Sequence, residues 1–329
     1  MRLFLTGTTG FVGLNLLLEA LKDARFDEII TAVRDPEKLT RQLAVEGVDH
    51  SERLRIVSWQ DGARVDVDCA VHCAGVLFAR DRESYFRVNV DDTLRLLAPI
   101  RNGARILVLS TQSAGGPTPP GKLSRSIADE DRPISWYGES KLEMERRLRV
   151  LRPDVQIWRL PMILGPRDRA TLPLFKMASG FVRTKPGLQV KTYSWIAVRD
   201  LVWAILAALK AETWPDTHAN VLAACSPGTI TDVELIETAA AVMGRRGVTI
   251  SLPHGLVRAV AGIVDTVPGF RDAVPSLTRD RAREIFPDRW VLDGTEFLAR
   301  FGHHDFATLR DTLAETRAWY LARLLLPAA

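Results

Sequence analysis

The chain has 329 residues and carries 44 Lys and Arg against 40 Asp and Glu, which gives a formal net charge of +4 at pH 7. A composition of 47% hydrophobic and 26% charged residues is that of an ordinary globular protein and excludes an intrinsically disordered chain. No apolar run reaches the roughly 18 to 20 residues of a membrane span, so no integral membrane segment is expected. The basic residues are interleaved with acids, which argues against a nucleic-acid partner.

The first glycines of the chain indicate its cellular compartment, and the cysteines indicate whether disulfides or a metal site are expected. A glycine-rich turn begins at Gly7, where a secretory leader would carry its apolar stretch, so a cytoplasmic protein is expected. The 3 cysteines, Cys69, Cys73 and Cys225, match no paired metal spacing. Neither a disulfide framework nor a metal ion is therefore expected.

Short apolar runs alternate with segments of helical period along the first half of the chain. The runs predict buried strands at Leu3–Leu5, Ile29–Val33, Leu54–Val57, Ala70–His72, Ile106–Ser110 and Val155–Leu160. The segments between them predict helices at Phe11–Ala24, Pro36–Glu46, Glu83–Ala98 and Tyr137–Val150. Because crossovers of this length join parallel strands, we predict an α/β fold with a Rossmann-type, doubly wound parallel sheet.

Beyond Gly165 the pattern changes to longer helices. These helices are predicted at Leu201–Ala211, Thr231–Met243 and Ala307–Leu325. We therefore expect a dinucleotide-binding domain over residues 1–165 and a smaller, mainly helical, substrate-binding domain over residues 166–329.

A phosphate-binding turn is predicted directly after the first strand. Gly7, Gly10 and Gly13 follow a Gly-x-x-Gly-x-x-Gly spacing that opens the first helix. Glycines permit the tight turn and the close backbone approach that a pyrophosphate needs, and the helix start supplies free N–H groups. The residues expected to hold the cofactor here are Gly7, Thr9, Gly10, Phe11, Val12 and Gly13.

The end of the second strand bears on the choice of cofactor. An acid about 20 residues past the turn usually holds the adenosine ribose, but that count from Gly13 leads to Val33, and Arg34 follows. The Arg34 guanidinium can bind a 2′-phosphate through two hydrogen bonds, so NADP(H) is preferred and NAD(H) stays open. Asp35 is better explained as the cap of the helix that begins at Pro36.

Hydroxyl groups and a Tyr/Lys pair form the candidate catalytic set. Ser110, Thr111, Gln112 and Ser113 stand at the end of the fifth predicted strand, and the pair Tyr137/Lys141 has helical spacing. A nearby ammonium lowers the pKa of a phenol, which makes Tyr137 a candidate general acid/base worth about 10² to 10⁴ in rate. Such a pair alone also occurs on helix surfaces by chance.

Taken together, these motifs resemble the extended short-chain dehydrogenases/reductases, the NAD-dependent epimerase/dehydratase superfamily. The resemblance includes His72–Gly75, Asn89, Arg159–Pro166 and Trp195–Leu201 and spans most of the chain. It implies that a segment near residues 193–225 returns to the first domain. Val33–Pro36 is similar to NADPH-using members of the dihydroflavonol-reductase-like and 3-beta-hydroxysteroid-dehydrogenase-like branch.

The resemblance implies roles for individual residues. Tyr137 would exchange a proton with the substrate oxygen, and Lys141 would lower the phenol pKa and hold the nicotinamide ribose. Thr111 would bind the reacting oxygen, with Ser110 and Gln112 as alternatives. Further cofactor contacts are implied for Ala74, Gly75, Asn89, Ser110, Tyr137, Lys141, Pro161 and Ile163. A homodimer through the Glu83–Ala98 and Tyr137–Val150 helices is implied as well.

Departures from the family pattern narrow the substrate. Gln112-Ser113 replaces the Asp-Glu of dehydratases, so dehydration is not expected. Met162 and Tyr193 stand where nucleotide-sugar members carry Asn and Arg, so no cation for a diphosphate is expected there. The candidate substrate-contacting residues are Val76, Phe78, Gln112, Ser113, Met162, Tyr193 and Trp195. This mostly apolar set suits a moderately hydrophobic small molecule or acyl substrate, although its members can equally be domain-interface core.

The resulting hypothesis is an NADP(H)-dependent oxidoreductase that interconverts a carbonyl and an alcohol. A nucleotide-sugar epimerase or 4-keto reductase is one alternative, and a thioester or aldehyde reductase, which the Phe4–Phe11 and Val33-Arg34 segments also resemble, is another. A non-catalytic NADP sensor is a third, against which the intact Tyr137/Lys141 pair argues. The apolar stretch Pro253–Phe270 is open to three interpretations: a lid, a peripheral membrane contact or a packing helix.

Overall fold

The computed structural model describes residues 1–48, 51–59, 66–211, 221–267 and 277–326. Its strands are β1 Arg2–Thr6, β2 Glu28–Val33, β3 Leu54–Ser58, β4 Cys69–His72, β5 Arg105–Thr111, β6 Val155–Leu160, β7 Met162–Leu164, β8 Val182–Pro186, β9 Thr192–Tyr193, β10 Trp195–Ala197, β11 Val221–Ala223, β12 Ile230–Thr231, β13 Val248–Leu252 and β14 Arg289–Trp290. Its α-helices are α1 Phe11–Lys22, α2 Pro36–Val45, α3 Arg82–Phe86, α4 Asp92–Leu97, α5 Gln112–Gly115, α6 Trp136–Leu151, α7 Leu172–Ala178, α8 Val198–Lys210, α9 Asp232–Val242, α10 His254–Thr266, α11 Arg279–Ala282, α12 Thr295–Phe301 and α13 Leu309–Ala322.

A parallel sheet organises the first half of the chain. In the part of the chain that is described, 7 strands follow the order β11-β6-β5-β4-β1-β2-β3. Each neighbouring pair is parallel. The chain direction across the sheet reverses between β1 and β4, and ligands of such sheets bind at this switch point, beyond the carboxyl ends of the strands. The predicted Rossmann-type fold is confirmed.

The six predicted strands all form, and β6 occupies the predicted residues Val155–Leu160. The predicted helix over Glu83–Ala98 is interrupted, because a π-helical turn at Arg87–Asp91 lies between α3 and α4. Such turns insert one extra residue into a helix and recur at functional sites. Here the turn carries Asn89, one of the predicted cofactor-site residues.

Hydrophobic side chains cover both faces of the sheet. On one face, Leu16 and Leu17 of α1 pack with Ile205 of α8 in a single core cluster. On the other face, Val90 packs with Met144 of α6. All six residues of β6 are buried, as expected for a parallel strand covered on both sides.

The region after β6 is mainly helical and has its own core. Phe175, Trp195, Leu313 and Tyr320 form part of one buried cluster there. Within 193–225, β10 pairs with β7 and β11 joins the large sheet beside β6. The domain boundary at residue 165 stays a prediction. Among the described residues, no helix is both long and apolar enough to cross a bilayer.

Candidate active site

The turn after β1 accepts only glycine at two positions. Gly7 has a φ of +74°, and a Cβ there would lie 2.5 Å from the backbone nitrogen of Ala74. A Cβ on Gly13 would lie 2.3 Å from the Gly7 carbonyl oxygen. The Gly10 N–H donates to that same oxygen at 2.9 Å. The turn is therefore closed against the loop that follows β4.

The start of α1 leaves donors available for an anion. Gly10 is the cap residue and provides no side-chain hydrogen bond to the first turn of the 12-residue helix. The first N–H groups of a helix have no partner within it, and they stand at the positive end of the helix dipole. The glycine cradle and these free donors fit a dinucleotide pyrophosphate.

Six of the predicted cofactor-site residues line one cavity of about 100 Å³, which lies at the switch point of the sheet. These are Gly7, Thr9, Gly10, Arg34, Ala74 and Gly75. The cavity is also lined by residues that the sequence analysis did not select, among them Trp59, Val88, Asp92 and Leu96. The predicted phosphate turn and the end of β2 therefore belong to one site.

Two arginines flank an indole at the outer end of this site. The Arg34 guanidinium carbon lies 5.6 Å from the centre of the Trp59 ring, and that of Arg95 lies 5.1 Å from it. The three side chains share a second cavity of about 450 Å³ with Asp91 and Asp92. Asp35 caps α2 by accepting from the Lys38 N–H at 2.9 Å, as its position before Pro36 predicted.

Asn89 fastens the loop after β4 to the helix that bears the Tyr/Lys pair. Its side chain is fully buried. Its Oδ1 accepts from the Val76 N–H at 2.8 Å, and its Nδ2 donates to the Ser140 hydroxyl at 3.0 Å. The residue therefore positions the wall of the cofactor cavity through its hydrogen bonds.

The candidate catalytic residues meet at the carboxyl end of β5. Tyr137 lies in the first turn of α6, and the Thr111 hydroxyl is close enough to its phenol to lower the phenol pKa. The Thr111 hydroxyl also accepts from the Ser113 N–H at 3.2 Å. Burial raises the pKa of Tyr137 to about 12, while the positive charge of Arg281 opposes that rise.

Lys141 lies below the phenol on the same helix. It is 4% exposed, and its Nζ donates to the Leu109 carbonyl at 2.8 Å. Burial lowers the Lys141 pKa to about 8, against the opposing charge of Glu145. Among the described residues, Arg281 is the largest cause that lowers the phenol pKa. The expected lowering by Lys141 stays a prediction.

A buried charge cluster supports this end of α6. Arg159 of β6 donates to Glu145 at 2.7 Å and to Asp131 at 2.6 Å. Its guanidinium is 2% exposed, and the Glu145 carboxylate is fully buried. Ser110 donates its hydroxyl to the same carboxylate at 2.5 Å. Ser110, named as an alternative to Thr111, is therefore bound to Glu145 on the side of the cluster.

Arg281 is a site residue that the sequence analysis missed. It belongs to α11, and its guanidinium carbon lies 5.1 Å from the centre of the Tyr137 ring and 5.6 Å from that of Phe78. Its Nη1 lies 3.0 Å from a Glu284 carboxylate oxygen. Its buried Nε has no hydrogen-bond partner among the described residues. The chain thus has a cation beside the phenol, although not at Tyr193, where nucleotide-sugar members carry an Arg.

The candidate substrate residues are distributed unevenly. Trp195 is 5% exposed in the core of the C-terminal region, and Met162 and Tyr193 pack against that core at partial exposure. Gln112 follows Thr111 directly, and its buried Oε1 has no hydrogen-bond partner in the described segments. Pro161 and Ile163 lie at the end of β6 and in β7, which β10 pairs with.

Comparisons with known proteins agree with this geometry. Residues 3–221 match the NAD dependent epimerase/dehydratase family. A ceramide reductase of Caulobacter vibrioides is 27% identical, over 98% of this chain and 95% of the relative. Among solved structures, a UDP-glucuronic acid 4-epimerase from Bacillus cereus superposes with a TM-score of 0.74 at 16% identity, over 99% of this chain and 100% of the other. A dTDP-glucose 4,6-dehydratase from Bacillus anthracis superposes with a TM-score of 0.71 at 17% identity, over 98% and 96%.

The two solved structures share the fold at low identity, and the family match covers more than half of the chain. The resemblance seen in the sequence is confirmed. This protein is an NAD(P)-binding oxidoreductase of the extended short-chain dehydrogenase/reductase type, and it belongs to the NAD-dependent epimerase/dehydratase family.

Proposed function

We propose that the protein is an NADPH-dependent reductase that converts a ketone on a long-chain lipid to an alcohol. The observation that carries the proposal is the Tyr137 phenol beside the Thr111 hydroxyl, one helical turn before the buried Lys141. These residues stand at the same edge of the sheet as the phosphate turn. A bound nicotinamide would supply the hydride.

The protonation state of the phenol supports the direction of the reaction. A pKa of about 12 keeps Tyr137 protonated at neutral pH, so it is ready to give a proton to a carbonyl oxygen. Thr111 would hold the same oxygen. Lys141 would hold the nicotinamide ribose, and Asn89 would position the wall of the cofactor cavity. Ser110 is engaged by Glu145, which favours Thr111 for the substrate contact.

The preference for NADP(H) is supported by Arg34 and Arg95. Both guanidinium groups approach Trp59, which follows β3 and lies beside the end of β2, where a ribose 2′-phosphate would lie. Charge-assisted hydrogen bonds from such groups are about twice as strong as neutral ones. NAD(H) is the alternative cofactor.

The substrate class is supported by the curated relative. The Caulobacter vibrioides protein is named for ceramide, a long-chain lipid amide.

The test follows oxidation of NADPH, and then of NADH, by the purified protein with the keto form of a ceramide. Turnover with NADPH is expected, and Tyr137→Phe should abolish it while NADPH still binds. The matched control is Tyr320→Phe, which removes a buried hydroxyl that bonds to Thr171 and Asp168 in the C-terminal region. Full turnover by Tyr137→Phe would refute the mechanism.

A nucleotide-sugar epimerase or 4-keto reductase is the second candidate, and Arg281 is the observation that favours it. Its guanidinium, 5.1 Å from the Tyr137 ring centre, is a cation that a diphosphate can use. If this candidate is right, UDP or dTDP will raise the melting temperature of the wild type, and Arg281→Gln will remove the effect. No shift with either nucleotide would reject it.

We also propose that the enzyme is a cytoplasmic homodimer that pairs through the faces of α3, α4 and α6. Analytical ultracentrifugation of the purified protein tests the dimer. A monomer at micromolar concentration would reject it.

A further inference from the structure

Helix α10 is apolar on two adjacent faces, of which one is buried and the other is exposed. Val257, Ala261 and Val264 face inward and are buried. Leu256, Val260 and Ile263 lie on the neighbouring face, about 100° around the helix axis, and are 49%, 38% and 51% exposed. Their spacing places them in one stripe, where a surface helix normally carries polar residues. Residues 268–270 of this stretch lie outside the described residues. A packing helix alone does not account for α10, because the helix packs inward and also presents an apolar face to solvent.

The ribbon of β8 and β13 has its charges inside and its apolar side chains outside. Val182 pairs with Val248 in the ribbon, and both are about half exposed. Ile250, two residues along β13, is 48% exposed as well. The alternate residues Arg183 and Lys185 are buried, where they pair with Glu237 and Asp232. Burying cations is costly, so this orientation needs the two ion pairs that accompany it.

The ribbon, the turn after β8 and α10 are continuous. The Gly187 N–H donates to the Leu252 carbonyl at 2.8 Å. This bond joins the turn to the end of β13, two residues before α10 begins. Leu188 and Val190 in this turn are 68% and 55% exposed. Phe181, at the other end of the ribbon, is 69% exposed. We call this set the apolar face: Phe181, Val182, Leu188, Val190, Val248, Ile250, Leu256, Val260 and Ile263.

Exposed cations border the apolar face. Arg245 and Arg246 precede β13, and the Val248 N–H that follows them donates to the Phe181 carbonyl at 2.8 Å. Arg258 is exposed on α10 itself. The nearby acid Glu237 is occupied by its pairing with Arg183. Apolar side chains bordered by arginines are complementary to a bilayer with anionic headgroups.

The apolar face is connected to the catalytic residues. The Asp265 side chain of α10 accepts from the Arg279 N–H at 3.0 Å, at the start of α11. Two residues further along α11, Arg281 lies against the Tyr137 ring. A bilayer bound at α10 would therefore lie beside α11, the helix that brings Arg281 to the candidate active site.

We propose that this apolar face docks peripherally on an anionic lipid bilayer. The inference stands on exposure and charge alone and goes beyond the proposed lipid substrate. A second copy of the chain is a poorer occupant, because a two-fold contact would bring the same arginine-bordered surface against itself.

The test is flotation of the full-length protein with vesicles of phosphatidylglycerol and phosphatidylcholine, and with vesicles of phosphatidylcholine alone. Binding to the anionic vesicles is expected. The variant Leu256→Ser/Val260→Ser/Ile263→Ser should bind more than tenfold more weakly. The variant Arg245→Gln/Arg246→Gln should bind the anionic vesicles about fivefold more weakly for each charge removed, and its binding to phosphatidylcholine vesicles should not change.

The matched control is Val45→Ser/Leu123→Ser/Leu324→Ser, whose original side chains are 58%, 79% and 91% exposed outside this face and outside the proposed dimer interface. It should bind vesicles like the wild type. Equal binding by the α10 variant and the control would overturn the proposal. So would a wild-type dimer that the α10 variant alone breaks and that binds no vesicles.

Binding needs no turnover, so this result is independent of the proposed function. If the protein binds vesicles but reduces no lipid ketone, the docking surface stands and the proposed reaction falls. If it reduces a dispersed lipid ketone but never floats with vesicles, the opposite holds.

Discussion

Replacing Glu145 with Gln should destabilise the fold and shift the pH dependence of catalysis together. The Glu145 carboxylate is fully buried, and Arg159 donates to it at 2.7, 3.1 and 3.2 Å. Removing one partner of a buried pair costs about 3–5 kcal/mol, because the remaining charge loses its compensation. Asp131 still binds the guanidinium and the new amide still offers one oxygen, so we expect the lower end, about 3 kcal/mol.

The matched control is Glu143→Gln on the same helix. Glu143 pairs with Arg147 at 2.8 Å, one turn away, and its side chain is 32% exposed. Helical pairs at the surface contribute about 0.3–0.5 kcal/mol, so this variant should stay close to the wild type. Urea unfolding at neutral pH measures both. A loss in Glu145→Gln no larger than in the control would refute the energetic reasoning.

The catalytic part of the prediction follows from charge. Burial lowers the Lys141 pKa to about 8, and the negative charge of Glu145 opposes that shift. Without this charge the pKa falls further. The ammonium is present below its pKa and is lost as the pH rises, so the alkaline fall in turnover should move to lower pH in Glu145→Gln. Glu143→Gln should leave it in place. An unmoved alkaline limb in a destabilised Glu145→Gln would refute the proposed influence on Lys141.

Three further predictions concern the cofactor turn and the support of the fold. Arg34→Ser should lower kcat/KM for NADPH by about 10- to 100-fold, because it removes a charged hydrogen bond of about 1.5–3 kcal/mol. It should leave kcat/KM for NADH unchanged. The control Arg41→Ser, on the exposed face of α2, should change neither value. Gly13→Ala should lower the free energy of unfolding by about 1–3 kcal/mol and weaken cofactor binding in calorimetry, because its Cβ would lie 2.3 Å from the Gly7 oxygen. The control Gly255→Ala should have neither effect, because its Cβ meets nothing within 4 Å. Asp200→Ala should cost about 1–3 kcal/mol in urea unfolding, because it leaves the Ala307 N–H without its 2.9 Å acceptor, while Asp305→Ala at the surface should stay within about 0.5 kcal/mol.

Features that depend on local spacing could be predicted from the sequence. The glycine turn, the six strands and the cap at Asp35 are each determined by residues within a few positions of one another. The Tyr137/Lys141 pair needs only one turn of helix. The interruption at Arg87–Asp91 was missed because the apolar periodicity continues on both sides of the π turn.

Features that depend on distant contacts left no local signal. Trp59 is brought beside Arg34 by the pairing of β2 with β3, and Arg95 approaches the same ring from α4. In the sequence, Glu145 is one of several charged residues in α6, a pattern typical of a solvated helix face. Only its meeting with Arg159 from β6 shows that it is buried. Nothing within a few positions of Glu145 in the sequence indicates that Arg159 is its partner.

Arg281 shows why the chemistry of the site depends on both parts of the chain. Lys141 approaches the catalytic region from within the sheet domain, whereas Arg281 arrives on α11, which Asp280 ties to the Trp136 N–H at 3.1 Å. Even with this cation beside it, the phenol keeps a pKa of about 12, so burial outweighs the charge. The C-terminal region therefore contributes the positive charge that partly offsets the effect of burial on the phenol. A phenol held in this way is an acid at neutral pH, and an acid poised beside a carbonyl is what a reductase requires.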